Sequence, residues 1–206
     1  GGDSLLRTGP GRFSSSTVLF DEVGIIRLAA SVRDGDYLGA GSVPGPLTGN
    51  IGRFYPDSIA LIAGSATTAC GGFVYQDQPT LELSYTLQAQ NALGAVVENY
   101  DEDLLGVANV AAVSRVAENA DSGIPLNARL SQGTARWRNG ELFELDGAAV
   151  FSRGATADGP FDALQLGIRL SDSLDDLLID GANQNSATAG NCALTDSCDA
   201  VALGSP

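Results

Sequence analysis

The stretch LELSYTLQAQ, residues 81–90, alternates apolar and polar side chains over its whole length. Its odd-numbered positions hold Leu, Leu, Tyr, Leu and Ala, and every even-numbered position is polar. Because successive side chains of a β-strand point to opposite faces of the sheet, this pattern predicts a strand with one buried and one solvated face. The stretches IRLAASV (26–32) and LQLGIRL (164–170) repeat the alternation. Such strands are typical of antiparallel sheets.

Turn motifs separate the alternating stretches. Asn139-Gly140 lies between ARW (135–137) and ELFEL (141–145), and both residue types adopt the positive φ that a tight hairpin turn requires. Further turn motifs are RDGD (33–36), NALG (91–94) and LDGA (145–148). We therefore predict an all-β chain, folded as an antiparallel Ig-like β-sandwich and preceded by a partial β unit.

The single tryptophan, Trp137, lies between Arg136 and Arg138. A β-sandwich commonly buries one large indole, so we predict that Trp137 is a core residue. The two arginines would then face solvent on the same side of their strand and pair with nearby carboxylates. The alternative is an exposed indole that offers a stacking face to a sugar ring.

A Gly/Pro-rich run, GAGSVPGPLTG at residues 39–49, interrupts the strand pattern. We predict two units: residues 1–50, the C-terminal remnant of an upstream β (Ig-like) domain plus linker, and residues 51–206, an Ig-like β-sandwich with insertions. The segment NIGRFYPDSIAL (50–61) would be their junction. Phe54 and Tyr55 are expected to close the end of the second unit there.

The composition excludes several classes of function. The chain has 25 acidic and 11 basic residues, a net charge of −14 and no histidine, and every basic residue is arginine. Such a surface repels nucleic acid and anionic membranes, so we expect neither nucleic-acid binding nor membrane insertion. Without His or Lys there is no Ser-His or Cys-His nucleophile pair and no Schiff base. Of the hydrolases, a carboxylate-pair enzyme is left.

Two of the three cysteines, Cys192 and Cys198, lie six residues apart in a polar tract. Neither a redox spacing nor further soft metal ligands accompany them. A small disulfide-closed loop is the favoured interpretation, and free thiols are the alternative. A disulfide indicates an exported protein. Cys70 has no evident partner.

The acidic tract LSDSLDDLLIDGANQNS, residues 170–186, is the candidate metal site. Its carboxylates supply the hard oxygen ligands that calcium prefers, and their mutual repulsion favours a bound cation. The candidate calcium ligands are Asp172, Asp175, Asp176 and Asp180, followed by Asn183 and Asn185. The spacing does not match an EF-hand loop, and a solvated acidic loop without cofactor is the alternative. A second acidic cluster lies at residues 101–103 and joins the first only if the fold brings the loops together.

Several segments resemble a known protein family, in the same order along almost the whole chain. They are FDEVGIIRLAASVRDGDYLGAG (20–41), GRFYPDSIAL (52–61), ACGGFVYQDQPTLELSYTLQAQNALGAVVENYD (69–101), DGPFDALQLGIRLSD (158–172) and CDAVALG (198–204). Together they are similar to the uncharacterised region of MshQ-like proteins. Those are large exported proteins associated with the biogenesis cluster of the MSHA type IV pilus, and they often carry a concanavalin-like lectin domain upstream. The resemblance implies a secreted or cell-surface location.

One of these segments, YTLQAQNALGAVVENYD (85–101), is also similar to the strand–turn–strand unit of bacterial Ig-like repeats. In those repeats a strand ends in a turn containing Asn and Gly, here Asn91 and Gly94, and the next strand closes on a Tyr, here Tyr100.

From these observations we expect a non-enzymatic structural or adhesive module at the cell surface. Its expected partners are other domains of the same long chain, and pilus or cell-surface proteins or glycans. The alternatives are a carbohydrate-binding module, which needs exposed aromatic side chains in a row, and a carboxylate-pair hydrolase, which needs two acids at a cleft. Most aromatic residues occupy strand positions that we expect to face inward.

Overall fold

A computed structural model of the chain describes residues 5–16, 18–68, 72–119, 126–144, 147–180 and 200–204. Strands dominate it, and the one α-helix, α1, is a single turn at Glu102–Leu105. The strands are β1 (Leu6–Gly9), β2 (Arg12–Ser14), β3 (Gly24–Ile26), β4 (Ile51–Phe54), β5 (Ser58–Thr68), β6 (Leu81–Gln90), β7 (Ala112–Asn119), β8 (Ala135–Arg138), β9 (Glu141–Glu144), β10 (Ala148–Ala149), β11 (Leu164–Ser171) and β12 (Ala200–Gly204). Two 3₁₀ turns lie at Val107–Asn109 and Asn127–Arg129. No helix in these ranges has the length and apolar character needed to cross a membrane.

The larger sheet is built around β6, the strand with the clearest sequence pattern. On one side β6 pairs with β5 along its whole length, and on the other side it pairs with β9 and β10. Strand β8 then pairs with β9, and all four pairings are antiparallel. Residue Ile62 is the extra residue of a bulge in β5, since Leu61 pairs with Leu87 and Ala63 with Thr86.

The second sheet has three antiparallel strands in the order β12-β11-β7. Strands β11 and β7 pair without a register shift, from Leu164 opposite Asn119 to Ser171 opposite Ala112. Leu166, Ile168 and Leu170 alternate with more polar positions, as predicted, and are buried. The chain is therefore all-β with a sandwich-like arrangement, and the predicted fold class is confirmed at this level.

A single hydrophobic core joins the inner faces of both sheets. The five apolar side chains of β6 are buried and their neighbours along the strand are more exposed, as the alternation predicted. Burying one such Leu or Ile side chain stabilises the fold by about 1.5–3 kcal/mol. The fully buried side chains of the core include Ile59, Leu81, Leu83, Leu87, Trp137, Leu142, Leu166, Ile168 and Ile179. Trp137 is completely buried, which confirms its prediction as a core residue.

The hairpin between β8 and β9 is the predicted Asn139-Gly140 turn. The φ angles are 49° at Asn139 and 79° at Gly140, as a primed turn requires. The Gly140 amide donates to the carbonyl of Tyr100 at 3.1 Å, and the Gly140 carbonyl accepts from the amide of Ala89 at 2.8 Å. A Cβ at Gly140 would lie 2.5 Å from the carbonyl oxygen of Val97. This turn is consequently packed against the neighbouring backbone and not merely a loop tip.

The segment before residue 50 contributes almost nothing to this core. Val23 is its only buried residue in the described ranges. The predicted strand at 26–32 is wrong beyond Ile26, where β3 ends. Most side chains of this segment are exposed, and its backbone carbonyls accept hydrogen bonds that do not belong to a strand ladder. The amides of Gly45 and Thr48 donate to the carbonyls of Ala30 and Leu28 instead.

The predicted junction at 50–61 contains β4 and the beginning of β5. Strand β4 pairs with β3, on the other side of the predicted boundary, whereas β5 enters the large sheet. Phe54 packs on Phe20 with ring centroids 5.1 Å apart, and Pro56 is buried. Tyr55 is 56 % exposed, so it does not close the end of the sandwich as expected. The division into two domains at residue 50 stays a prediction.

Candidate functional site

The acidic segment 101–103 and strand β8 form an ionic cluster. Arg138 pairs with Asp101 at 3.3 Å and also with Asp103, and Arg136 pairs with Glu102 at 3.3 Å. We call these five residues the carboxylate clamp. It confirms the prediction that both arginines pair with nearby carboxylates.

Asp101 is the centre of the carboxylate clamp. Its Oδ1 accepts from the backbone amide of Asp103 at 2.7 Å, which caps the N-terminus of α1, and its Oδ2 accepts from the amide of Asn139 at 3.0 Å. These amides, Asn139 first, and the Arg138 charge hold the pKa of Asp101 below its usual range. Asp101 thus ties α1 to the β8–β9 turn as an ionised acceptor.

An aromatic pair lies beneath the carboxylate clamp. The rings of Tyr100 and Trp137 meet edge to face, with centroids 4.8 Å apart. The amide of Ala111 donates to the Tyr100 hydroxyl at 2.8 Å, and the indole Nε1 of Trp137 donates to the carbonyl of Ala111 at 2.8 Å. Burial raises the pKa of Tyr100 to about 12. Because both rings are buried, neither offers a face to a sugar, and the stacking interpretation of Trp137 is wrong.

A cleft of about 260 Å³ opens between the β3–β4 hairpin and α1. Its wall is mostly apolar, with Arg53, Asn109 and Asp175 as its charged and amide side chains. Arg53 and Asp175 form a two-bond fork, with Nη1–Oδ1 at 3.0 Å and Nη2–Oδ2 at 2.6 Å. The apolar lining residues are Val23, Ile25, Phe54, Pro56, Leu104 and Leu105, with Gly24, Tyr55 and Tyr100 completing the wall.

Asp175 has the opposite electrostatic character to Asp101. Burial raises its pKa above the usual value, Arg53 lowers it, and the charges of Asp172 and Asp176 raise it further. Both carboxylate oxygens are engaged by Arg53. Among the described residues, Asp175 is the one acid that lines the cleft, and it is already paired, whereas a carboxylate-pair hydrolase uses two acids.

The four candidate calcium ligands are placed differently from one another. Asp172 accepts from the amides of Leu174 and Asp175 through one oxygen, at 2.9 and 3.3 Å. Asp176 and Asp180 are exposed, and the Asp180 amide donates to the carbonyl of Ile59. Across the described ranges, no three Asp, Glu or Cys side chains are grouped so that they could hold a metal ion. The calcium site stays a prediction.

Several residues of the predicted sites lie outside the described residues. They are Cys70, Asn183, Asn185, Cys192 and Cys198. The predicted disulfide between Cys192 and Cys198 is therefore untested by the structure.

The aromatic side chains are more exposed than the sequence predicted. Tyr55, Phe73 and Tyr75 are each more than half exposed, and the rings of Phe73 and Tyr75 touch edge to face at 5.3 Å. Phe13, Tyr37 and Phe143 are exposed as well. The inward orientation expected for most aromatics is wrong for these six, which belong to loops, to the N-terminal segment or to the outer face of β9.

Two arginines that contact distant parts of the fold were not predicted from the sequence. Arg53 was not singled out, because 122 residues separate it from Asp175 and no local pattern joins them. Arg115, in β7, is buried and donates to the carbonyls of Ser131 and Ala148 at 3.1 and 3.4 Å. The available signal was that Arg115 lies at strand spacing between the apolar residues Val113 and Ala117.

Residues 22–199 match the family described as DUF6701, third domain. No curated protein matches the chain, and no solved structure does.

Proposed function

We propose that this chain, which belongs to the DUF6701 third-domain family, is a non-enzymatic structural or adhesive module of a longer exported protein. It would be displayed at the cell surface, among other domains of the same polypeptide, and would resemble part of an MshQ-like pilus-associated protein. Its partners would be those domains, together with pilus or cell-surface proteins or glycans.

The observation that carries this proposal is that the carboxylates of the cleft and of the carboxylate clamp are bound by arginines and backbone amides. In the part of the chain that the structure describes, Asp175 is the one carboxylate lining the cleft, and Arg53 holds both of its oxygens. The acids of the carboxylate clamp are held by arginines and backbone amides. General acid–base catalysis requires a carboxyl group that can reach a substrate and exchange a proton. Acids fixed in this way support the connection of secondary-structure elements.

Surface display is tested on intact cells that express the longer natural protein. An antibody against the chain should label the cells before lysis, and external protease should remove the label. A signal that appears only after lysis would overturn the surface location. Binding of the purified chain to pilin and to cell-surface glycans, measured by biolayer interferometry, then separates an adhesive module from a structural one.

The enzymatic alternative is tested separately with chromogenic glycosides and esters. We expect no turnover above the rate in buffer. Turnover that Asp175→Asn abolishes would overturn the non-enzymatic proposal, because this change removes the acid that the described residues contribute to the cleft.

A carbohydrate-binding module is the second candidate, and the exposed Phe73–Tyr75 pair favours it. An exposed aromatic face binds the apolar face of a sugar ring by stacking. On a glycan array, the binding signal for a sugar that the natural chain binds should fall at least about tenfold in Tyr75→Ser. Leu93→Ser is the control, because Leu93 is 90 % exposed and belongs to the Asn91 turn. Equal binding by both variants would exclude this pair as the platform.

A further inference from the structure

The β1–β2 hairpin is the part of the fold that contributes least to the core. Every residue of both strands is exposed or half-exposed. Leu6 is 71 % exposed and Phe13 is 60 % exposed. An isolated two-stranded hairpin is at best marginally stable in water, so this hairpin needs a further surface to pack against.

Each face of the hairpin carries one large, exposed apolar side chain beside polar ones. Leu6 is opposite Ser14, and Arg7 is opposite Phe13. Directly opposite residues of an antiparallel pair share one face, so Leu6 and Phe13 lie on opposite faces. A hairpin that only covered its own domain would need one apolar face. Large apolar side chains on both faces are typical of strands enclosed within a larger β-structure.

The charge of the hairpin differs from that of the chain as a whole. Residues 5–16 contain two arginines and no acid, whereas the whole chain has a net charge of −14. In the part of the chain that the structure describes, neither Arg7 nor Arg12 forms an ion pair. The hairpin is thus suited to a surface that combines apolar side chains with carboxylates.

The family match does not include the hairpin. It begins at Glu22, beyond the end of β2, and its description is that of a third domain. The hairpin therefore precedes the domain to which the chain belongs.

We propose that the β1–β2 hairpin completes the β-structure of the domain that precedes this one in the same polypeptide. The partner surface would supply apolar side chains to Leu6 and Phe13, on the two faces, and carboxylates to Arg7 and Arg12. This inference rests on the proposed role of the chain as one module of a longer protein.

Hydrogen–deuterium exchange tests the proposal without any substitution. The amides of residues 6–14 are compared in the 206-residue chain and in the longer natural polypeptide. We expect them to exchange at least tenfold more slowly in the longer polypeptide, because enclosed strands open less often than exposed ones. Equal exchange in both proteins would overturn the proposal.

A variant pair then assigns the effect to the apolar contact. Phe13→Ser should remove the protection of the hairpin in the longer polypeptide, and the control Leu93→Ser should preserve it. In the 206-residue chain both variants should leave the melting temperature unchanged, because both side chains are exposed there. Protection that survives Phe13→Ser would contradict the proposed contact.

The competing occupant is a second copy of this chain. Analytical ultracentrifugation of the 206-residue chain should show a monomer. A dimer that Phe13→Ser dissociates would assign the surface to self-association and overturn the proposal. None of these readouts depends on cell-surface display or on glycan binding, so a failure here is distinguishable from a failure of the proposed function.

Discussion

Asp101 and Asp175 are similar by simple structural measures. Each side chain is 8 % exposed, and each pairs with an arginine that is 38 or 39 % exposed. Yet the pKa of Asp101 is lowered and that of Asp175 is raised. The difference has two causes: two backbone amides donate to Asp101, whereas Asp175 accepts its hydrogen bonds from Arg53 and lies near the like charges of Asp172 and Asp176. At Asp175 one exposed arginine does not offset burial and the two like charges, whereas at Asp101 the fixed amide donors and Arg138 outweigh burial.

The comparison has a structural meaning. The amides of Asp103 and Asn139 belong to α1 and to the β8–β9 turn, so they cannot turn towards water without moving an element of the fold. The Arg53 side chain is 39 % exposed, so water can solvate its guanidinium when Asp175 is replaced. We therefore expect the Asp101 region to be sensitive to substitution and the Asp175 region to be tolerant.

The largest effect is expected at the turn that Asp101 holds. Gly140→Ala forces a Cβ to 2.5 Å from the Val97 carbonyl at a φ of 79°, and it should destabilise the fold by about 2–5 kcal/mol. Gly94→Ala is the matched control, with a φ of 76° and open space around its Cβ. It should cost about 1–2 kcal/mol. Urea unfolding of both variants measures the difference, and equal losses would show that the turn is not tightly packed.

The next effect separates the two aspartates directly. Asp101→Ala removes the acceptor for two amides and for Arg138 and should lower the melting temperature by several degrees. Asp175→Ala should lower it by less than half as much, because only a half-exposed arginine loses its partner. Thermal melts at pH 7 measure both variants. A larger loss for Asp175→Ala would reverse the comparison.

A smaller effect, of opposite sign at the two sites, is expected in the pH dependence of stability. A lowered folded pKa contributes stability that is present above the unfolded pKa of about 3.9 and lost as pH falls through the folded value. For Asp101→Asn, the deficit relative to the natural chain should therefore shrink as the pH falls below about 4.

Asp175 should behave in the opposite way. Because its folded pKa is raised, its ionised form weakens the fold, and the natural chain gains stability at this site as pH falls through the folded value towards the unfolded one. The melting temperature of the natural chain relative to Asp175→Asn should then rise between pH 7 and pH 4. Parallel curves for the two variants would contradict the assigned pKa directions.

The sequence predicts features that depend on neighbouring residues, and it does not predict contacts between distant loops. The burial pattern of β6, the Asn139-Gly140 turn, the buried Trp137 and the pairing of Arg136 and Arg138 are local consequences of strand alternation and turn chemistry. The hydrogen bond from the Asn139 backbone amide to Asp101 and the Arg53–Asp175 fork depend on which loops meet in space. A residue pattern with a period of two gives no information on which loops come into contact. The alternation at 26–32 misled for the same reason, since beyond Ile26 none of the described strands pairs with it and most of its side chains are exposed.

The smallest effect is expected from calcium. Millimolar calcium added after EDTA should change the melting temperature by less than about 1 °C, because Arg53 occupies both oxygens of Asp175 and one oxygen of Asp172 accepts two backbone amides. Asp175→Asn serves as the control, since it would remove one of the four predicted ligands. A rise of several degrees in the natural chain that this variant abolishes would establish the calcium site and would require Arg53 to release its partner. The contacts of Asp175 would then depend on whether calcium is bound, in contrast to the hydrogen bonds of Asp101, which the fold itself provides.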